Sequence, residues 1–180
     1  MPIDGGILET VIVLNILDIT TSQSCEGHLD HGRPYPWVTL ITPDAVKFSR
    51  QAAIVFTQAA QQKEQEQSSH EVLQTLYNKA NQLKSQAEQL HALDQQRLLN
   101  YLTTFYSVHQ APFDCQLILY TRVPGTSSLE SQGATTVIGQ PPETQQRKLI
   151  MYQKEMLAFT NFLKNMYFEE HIANYKTSIS

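Results

Sequence analysis

Residues 37–44 read Trp37-Val38-Thr39-Leu40-Ile41-Thr42-Pro43-Asp44, and they place a strand directly before a helix. The residues from Trp37 to Ile41 alternate as a half-buried strand does. Pro43 and Asp44 are typical of a first helical turn, because the N–H that proline lacks has no intrahelical partner there. A strand followed so closely by a helix predicts a mixed α+β fold.

Two long helices are predicted after this change. Residues 45–67 are rich in Gln and Ala, and the segment after them carries apolar residues at three- and four-residue spacing, a coiled-coil-like seam. The seam consists of Leu73, Leu76, Ala80, Leu83, Ala87 and Leu90. If the second helix continues to Val108, it is about 55–60 Å long at 1.5 Å per residue. We predict a helical hairpin across 44–107 that projects for a protein partner or for self-association.

Apolar runs on either side of the hairpin supply the rest of the fold. The run from Ile7 to Leu17 is apolar nearly all round, which predicts a helix buried on most faces. A buried strand is the alternative, because Val and Ile are frequent in it, but its length favours a helix. Gln116 to Val123 is the clearest strand, and Thr135 to Ile138 predicts a weaker one.

The last predicted helix begins after Pro142 and carries an apolar stripe that should pack on the sheet or the hairpin. The stripe consists of Leu149, Tyr152, Met156, Phe159, Leu163 and Met166. We expect one α+β domain across residues 1–180. It has a small, mostly antiparallel sheet, N-terminal and C-terminal packing helices, and the inserted hairpin.

Composition narrows the class of protein. The 180 residues are 41% hydrophobic and 17% charged, which is ordinary for a globular chain. No apolar run reaches the ~20 residues that a membrane span needs. Two cysteines, Cys25 and Cys115, are too few for a disulfide scaffold, so we expect free thiols and a cytoplasmic location.

Acidic residues are concentrated near the N-terminus. Residues 1–43 carry five acidic residues against Arg33, a net charge of −4, which favours cations over phosphates in that region. The chain shows no basic stripe of the kind that duplex binding needs, so we expect no general duplex nucleic-acid binding. A small nucleotide held by backbone amides stays compatible with this charge.

The chemistry-bearing residues cluster between Thr20 and His31. Cys25, His28 and His31 are spaced for a loop metal site, and zinc accepts thiolate and imidazole ligands readily. Alternatively, Cys25 is a nucleophile with His28 as its base. In a purely structural interpretation, Cys25 is a small buried residue and Gly27 supplies a positive φ angle.

A third interpretation makes this segment a ligand-binding surface. Its contacts would come from Ser24, Glu26, Gly27, Tyr35 and Trp37, with the two aromatic rings as a stacking platform for a planar, nucleotide-like ligand. The polar residues 127–133 predict a second loop that faces the first.

The segment Thr21-Ser22-Gln23-Ser24-Cys25-Glu26-Gly27-His28 resembles a T-x-x-S-C-x-G-H loop found in uncharacterised bacterial and phage proteins. More distantly, Ser24-Cys25-x-Gly27 is similar to an element of the wybutosine-synthesis tRNA methyltransferase. That resemblance implies S-adenosylmethionine and an RNA substrate.

These observations predict a non-catalytic binding or adaptor protein. It would recognise a partner or small ligand through the Cys25–His31 loop and the helical projection. The alternative is a small Cys/His enzyme, with zinc as its candidate metal, acting on a nucleotide-like substrate.

Overall fold

The computed structural model describes residues 3–65 and 69–177, with side chains as far as residue 169. Its helices are α1 (Gly5–Ile16), α2 (Pro43–Glu64), α3 (His70–Val108) and α4 (Pro142–Thr177). Its strands are β1 (Thr21–Cys25), β2 (Trp37–Ile41), β3 (Leu117–Val123) and β4 (Thr126–Ser131). Short 3₁₀ helices lie at Phe113–Cys115 and Ala134–Val137. This confirms the α+β class.

The four strands form one antiparallel sheet in the order β1-β2-β4-β3. β1 pairs with β2, and the register sets Cys25 opposite Trp37 and Ser24 opposite Val38. Among the described residues, no helix combines the length and the apolar character needed to cross a membrane. In the strand order given above, β2 and β4 are the inner strands, and each has a neighbouring strand on both sides.

The chain divides into two compact units. The first consists of Met1–Leu40, Arg97–Tyr120 and Ser128–Ser180, and the second of Ile41–Gln96 and Thr121–Ser127. The second unit contains most of the segment 44–107 that the sequence predicts as a hairpin. The last turns of α3 belong to the first unit.

Apolar side chains of α1, α3, α4 and the sheet form the main core of the first unit. The α4 stripe is buried from Leu149 to Leu163, whereas Met166 is only half-buried. Tyr152, Phe159 and Leu163 are fully buried. A smaller cluster beside this core contains Tyr35, Cys115, Ala134, Val137 and Tyr152. Together the two clusters fix the segments that carry the candidate site.

In the second unit, α2 and α3 bury small residues along their seam. Ala52 and Ala59 of α2 and Ala80 and Ala87 of α3 are each no more than 4% exposed. The two alanines of the predicted seam, Ala80 and Ala87, are therefore buried within the unit. α3 runs unbroken to Val108, as the periodicity predicts.

Helix α1 is less buried than the sequence predicts. Leu8, Ile12 and Ile16 are 40–49% exposed, whereas Ile7 and Leu14 are buried. The exposed residues are four apart and so lie on one face. The helix is apolar nearly all round, yet one of its apolar faces is exposed. The expectation of burial on most faces is therefore wrong.

Two predictions for the segment 127–138 are also wrong. Residues 134–137 form a 3₁₀ helix rather than a strand, because both the N–H and the hydroxyl of Thr136 donate to the Gly133 carbonyl and close a tight turn. Residues 127–131 are not a loop but belong to the buried inner strand β4. Its polar side chains are covered by the neighbouring strands and helices.

Candidate functional site

A cleft of about 570 Å³ lies in the first unit beside the Cys25–His31 segment. Strand β1 supplies one wall, and the rest comes from the residues before α1, the loop after β1, one residue of α1 and one of β2. Its lining consists of Ile3, Asp4, Val11, β1 from Thr21 to Cys25, His28, His31, Gly32 and Trp37. Of the predicted site residues, the cleft brings together Ser24, Cys25, His28, His31 and Trp37.

The loop after β1 depends on the backbone of Gly27. Its φ is +88°, and an added Cβ would lie 2.6 Å from Leu149 Cδ1 and 2.7 Å from the Tyr35 carbonyl carbon. The next residue, His28, donates its backbone N–H to the Arg33 carbonyl at 2.9 Å and closes the loop. The predicted positive φ at Gly27 is confirmed, and its role is to allow close packing rather than to line the cleft.

Asp4 is a residue that the sequence analysis missed. Its carboxylate Oδ2 lies 3.2 Å from His28 Nε2 and accepts the backbone N–H of Glu26 at 3.3 Å. The hydrogen bond from His28, together with the Glu26 N–H, lowers the pKa of Asp4 below its ordinary value. The only sequence signal for it was an acidic residue just before the first helix.

Glu26 holds the loop against α1 and does not line the cleft. Its side-chain Oε2 accepts the Gly6 N–H at 2.6 Å, which satisfies a donor in the first turn of α1. Its backbone carbonyl accepts a hydrogen bond from Gln153 Nε2 at 3.0 Å. Glu26 thus contacts both α1 and α4, and its expected contact with a ligand stays a prediction.

Cys25 ends β1 and is half-buried. Burial is the largest effect and raises the pKa of its thiol; the Gly27 N–H opposes it, and smaller contributions from the carboxylates of Asp4 and Glu26 raise the pKa further. The imidazole of His28 is hydrogen-bonded to Asp4. The thiol thus lies in an electronegative environment that disfavours the thiolate needed for nucleophilic attack.

His31 belongs to a more exposed group. Its Nδ1 lies 2.8 Å from Asp30 Oδ1, its side chain is 67% exposed, and its ring stacks on that of His28 with centroids 4.1 Å apart. The potential metal-ligand atoms fall into two groups that share His28. One contains Asp4 and Cys25, and the other contains Asp30 and His31. We expected His31 to be the third candidate ligand beside Cys25 and His28. In the structure, that third position is held by Asp4.

The two predicted aromatic residues lie in different environments. Tyr35 is 3% exposed within the smaller apolar cluster and is not part of the cleft lining. Trp37 lines the cleft, and the Arg33 guanidinium lies 5.2 Å from its ring centroid. The indole Nε1 is buried and has no hydrogen-bond partner among the described residues. An orphan donor of this kind costs free energy unless a ligand or water accepts from it.

Two buried polar clusters outside the cleft were also missed. In the first unit, the Glu155 carboxylate accepts from the Tyr106 hydroxyl at 2.9 Å and lies 3.1 Å from His109 Nε2. In the second unit, His91 Nε2 lies 2.8 Å from Ser127 Oγ, and both residues are buried. Each cluster joins residues far apart in sequence, so the local patterns gave no signal for it.

No protein-family model, curated protein or solved structure matches this chain. The chemistry of the cleft is therefore inferred from its own donors and acceptors.

Proposed function

We propose that the protein is a non-catalytic binding protein that holds a small ligand in the cleft beside the Cys25–His31 loop. The observation that carries the proposal is that Trp37 lines this cleft while its own Nε1–H is buried without a partner among the described residues. A cleft of about 570 Å³ is large enough for a small organic molecule. A ligand with a planar apolar body and a hydrogen-bond acceptor would satisfy the indole donor.

The charge of the cleft supports a neutral ligand rather than an anion. Asp4 lines it with a lowered pKa and therefore carries its negative charge at neutral pH. Thr21, Ser22 and Ser24 of β1 also line the cleft, and their side chains are polar but uncharged. A phosphate or carboxylate in the cleft would have to approach the Asp4 carboxylate, which Coulomb repulsion opposes.

The proposal is tested on the metal-free protein with two matched planar probes, benzamide and benzoate. Trp37 is the only tryptophan in the chain, so its fluorescence reports directly on the cleft. We expect benzamide to shift the emission saturably and benzoate to bind more weakly. Calorimetry on Trp37→Phe, which keeps an aromatic ring but removes the N–H, should show weaker benzamide binding. Tighter binding of benzoate, or unchanged binding by Trp37→Phe, would contradict the proposal.

The alternative is a small Cys/His enzyme acting on a nucleotide-like substrate. It requires an activated Cys25, whereas burial and two carboxylates raise the thiol pKa and His28 is bonded to Asp4. The geometry therefore favours binding over catalysis. Iodoacetamide labelling distinguishes the two functions, because Cys25 should react more slowly than free cysteine at neutral pH if it is not a nucleophile.

A further inference from the structure

Three different metal-ligating side chains converge at one end of the cleft. The candidate ligand atoms of Asp4, Cys25 and His28 all lie within 4.8 Å of one another. They come from three separate elements: the residue before α1, the end of β1 and the loop that follows it. All three residues line the cleft. A carboxylate, a thiol and an imidazole have thus been brought together by tertiary packing.

The position of Asp4 is explained by two reciprocal hydrogen bonds between the start of α1 and the loop after β1. Asp4 is the N-cap residue of α1, yet its side chain makes no capping hydrogen bond. Glu26 accepts the Gly6 N–H instead, and its own backbone N–H donates to Asp4 Oδ2. Asp4 is thereby directed away from its helix and toward His28. The same contacts hold the loop against α1 and hold the three donors in place.

The donor set fits zinc better than a hard cation. Zinc binds thiolate at about 2.3 Å and imidazole or carboxylate at about 2.0–2.2 Å, so tetrahedral ligand atoms lie roughly 3–4 Å apart. The Asp4 Oδ2 to His28 Nε2 distance of 3.2 Å is within that range. Mg²⁺ and Ca²⁺ prefer oxygen ligands, which Cys25 and His28 do not supply. The ring of His31, stacked on His28, supports the orientation of the imidazole.

We propose that Asp4, Cys25 and His28 form a three-ligand zinc site at the end of the cleft, with the fourth position open to it. On binding, Cys25 releases its thiol proton to solvent as the sulfur–metal bond forms, and any proton on the coordinating nitrogen of His28 is also released to solvent, so that the ligands are a thiolate, a neutral imidazole and a carboxylate. No electron is transferred. The metal site stands independently, but its use as an anchor for a ligand acceptor rests on the proposed function.

The test is titration of the metal-free, reduced protein with Co²⁺ and Zn²⁺. Wild-type protein should bind one equivalent of Co²⁺, with a visible spectrum that includes a thiolate-to-cobalt charge-transfer band. Asp4→Asn, Cys25→Ala and His28→Ala should each weaken Zn²⁺ binding about tenfold or more. Cys115→Ala is the matched control and should leave both the affinity and the charge-transfer band unchanged. His31→Ala removes a residue of the other group around His28 and should weaken binding much less than Cys25→Ala. Far-UV circular dichroism establishes that each variant is folded.

The outcomes separate the metal site from the proposed function. Failure of wild-type protein to bind either ion, or a spectrum without the charge-transfer band, would overturn the site. A loss in His31→Ala as large as that in Cys25→Ala would also overturn it, since the ion would then be held by the other group around His28. Benzamide binding is measured separately with a chelator present, so the cleft can retain its ligand even if the metal proposal fails.

Discussion

At the scale of single residues, Gly27 is the position on which the candidate site most depends. Replacing it with Ala forces an L-residue to φ +88° and brings its Cβ against Leu149 and Tyr35. We expect Gly27→Ala to lower the free energy of unfolding by more than ~2 kcal/mol, because the clash adds to the left-handed strain of roughly 1–2 kcal/mol. Chemical denaturation measures this change.

Gly32 provides the matched control for that substitution. It also has a positive φ, +74°, but an added Cβ would meet nothing within 4 Å. Gly32→Ala should therefore cost only the backbone strain, about 1 kcal/mol. Equal losses in the two variants would show that packing at Gly27 contributes nothing, contrary to the geometry.

His91 should make stability depend on pH. It is 6% exposed and bonded to Ser127, and burial lowers its pKa below the ordinary 6.5, against a smaller opposing effect of Asp94. The unfolded chain then binds a proton first as the pH falls, so stability is fully present above about pH 6.5 and decreases below it. Gln95 also donates to the Ser127 hydroxyl, and it carries no charge.

Urea denaturation between about pH 7.5 and about pH 5 tests this prediction, since the carboxylates with lowered pKa values titrate below that range. The free energy of unfolding should fall over the range in wild-type protein and fall less in His91→Gln. The exposed His70→Gln is the control and should retain the wild-type slope. If the slope persists in His91→Gln, the pH dependence comes from other groups.

At the scale of elements, α1 combines a buried and an exposed apolar face. Leu14 is fully buried, whereas Ile12 is 47% exposed. Leu14→Ala should lower the free energy of unfolding by about 2–5 kcal/mol, and Ile12→Ala should change it by less than ~1 kcal/mol. Thermal and urea denaturation of both variants measure the difference, and similar losses would contradict the described burial of the helix.

The sequence predicted the elements whose signals are local. Strand β2 has the predicted bounds, and α2 begins at Pro43 as predicted. Both were predictable because strand alternation and a helix start are recognised from a few consecutive residues. Strand β4 was missed because its polar residues suggest a loop. Its burial comes from an inner position in the sheet, which depends on pairing with β2, a strand far away in sequence.

The candidate site was predicted only in part for the same reason. Cys25 and His28 are close in sequence, and their proximity in the structure follows. Asp4 reaches them only because α1 packs beside β1 and Glu26 takes over its capping contact. Tyr35 was expected in the cleft, but its apolar ring is buried in a separate cluster that no local pattern reveals.

At the scale of the whole molecule, the acidic N-terminal region and the cleft coincide. Residues 1–43, with their net charge of −4, supply α1, β1 and β2 and every residue that lines the cleft. The excess of negative charge is therefore located around the cleft in which the proposed ligand and metal would bind. It raises the local concentration of cations at low salt and should do so less as ionic strength increases.

Self-association through the long helices stays a prediction, and the structure limits the surface that such contacts can use. The seam alanines Ala80 and Ala87 are already buried, so a second copy would have to contact exposed apolar residues such as Ile54 and Leu93, which are 53% and 70% exposed. Sedimentation velocity should show a concentration-dependent dimer that Leu93→Gln weakens. Ile138→Gln changes an aliphatic residue that is 57% exposed and lies outside these helices, and it should leave the dimer intact. A wild-type protein that sediments as a monomer at every concentration would rule out this mode of assembly.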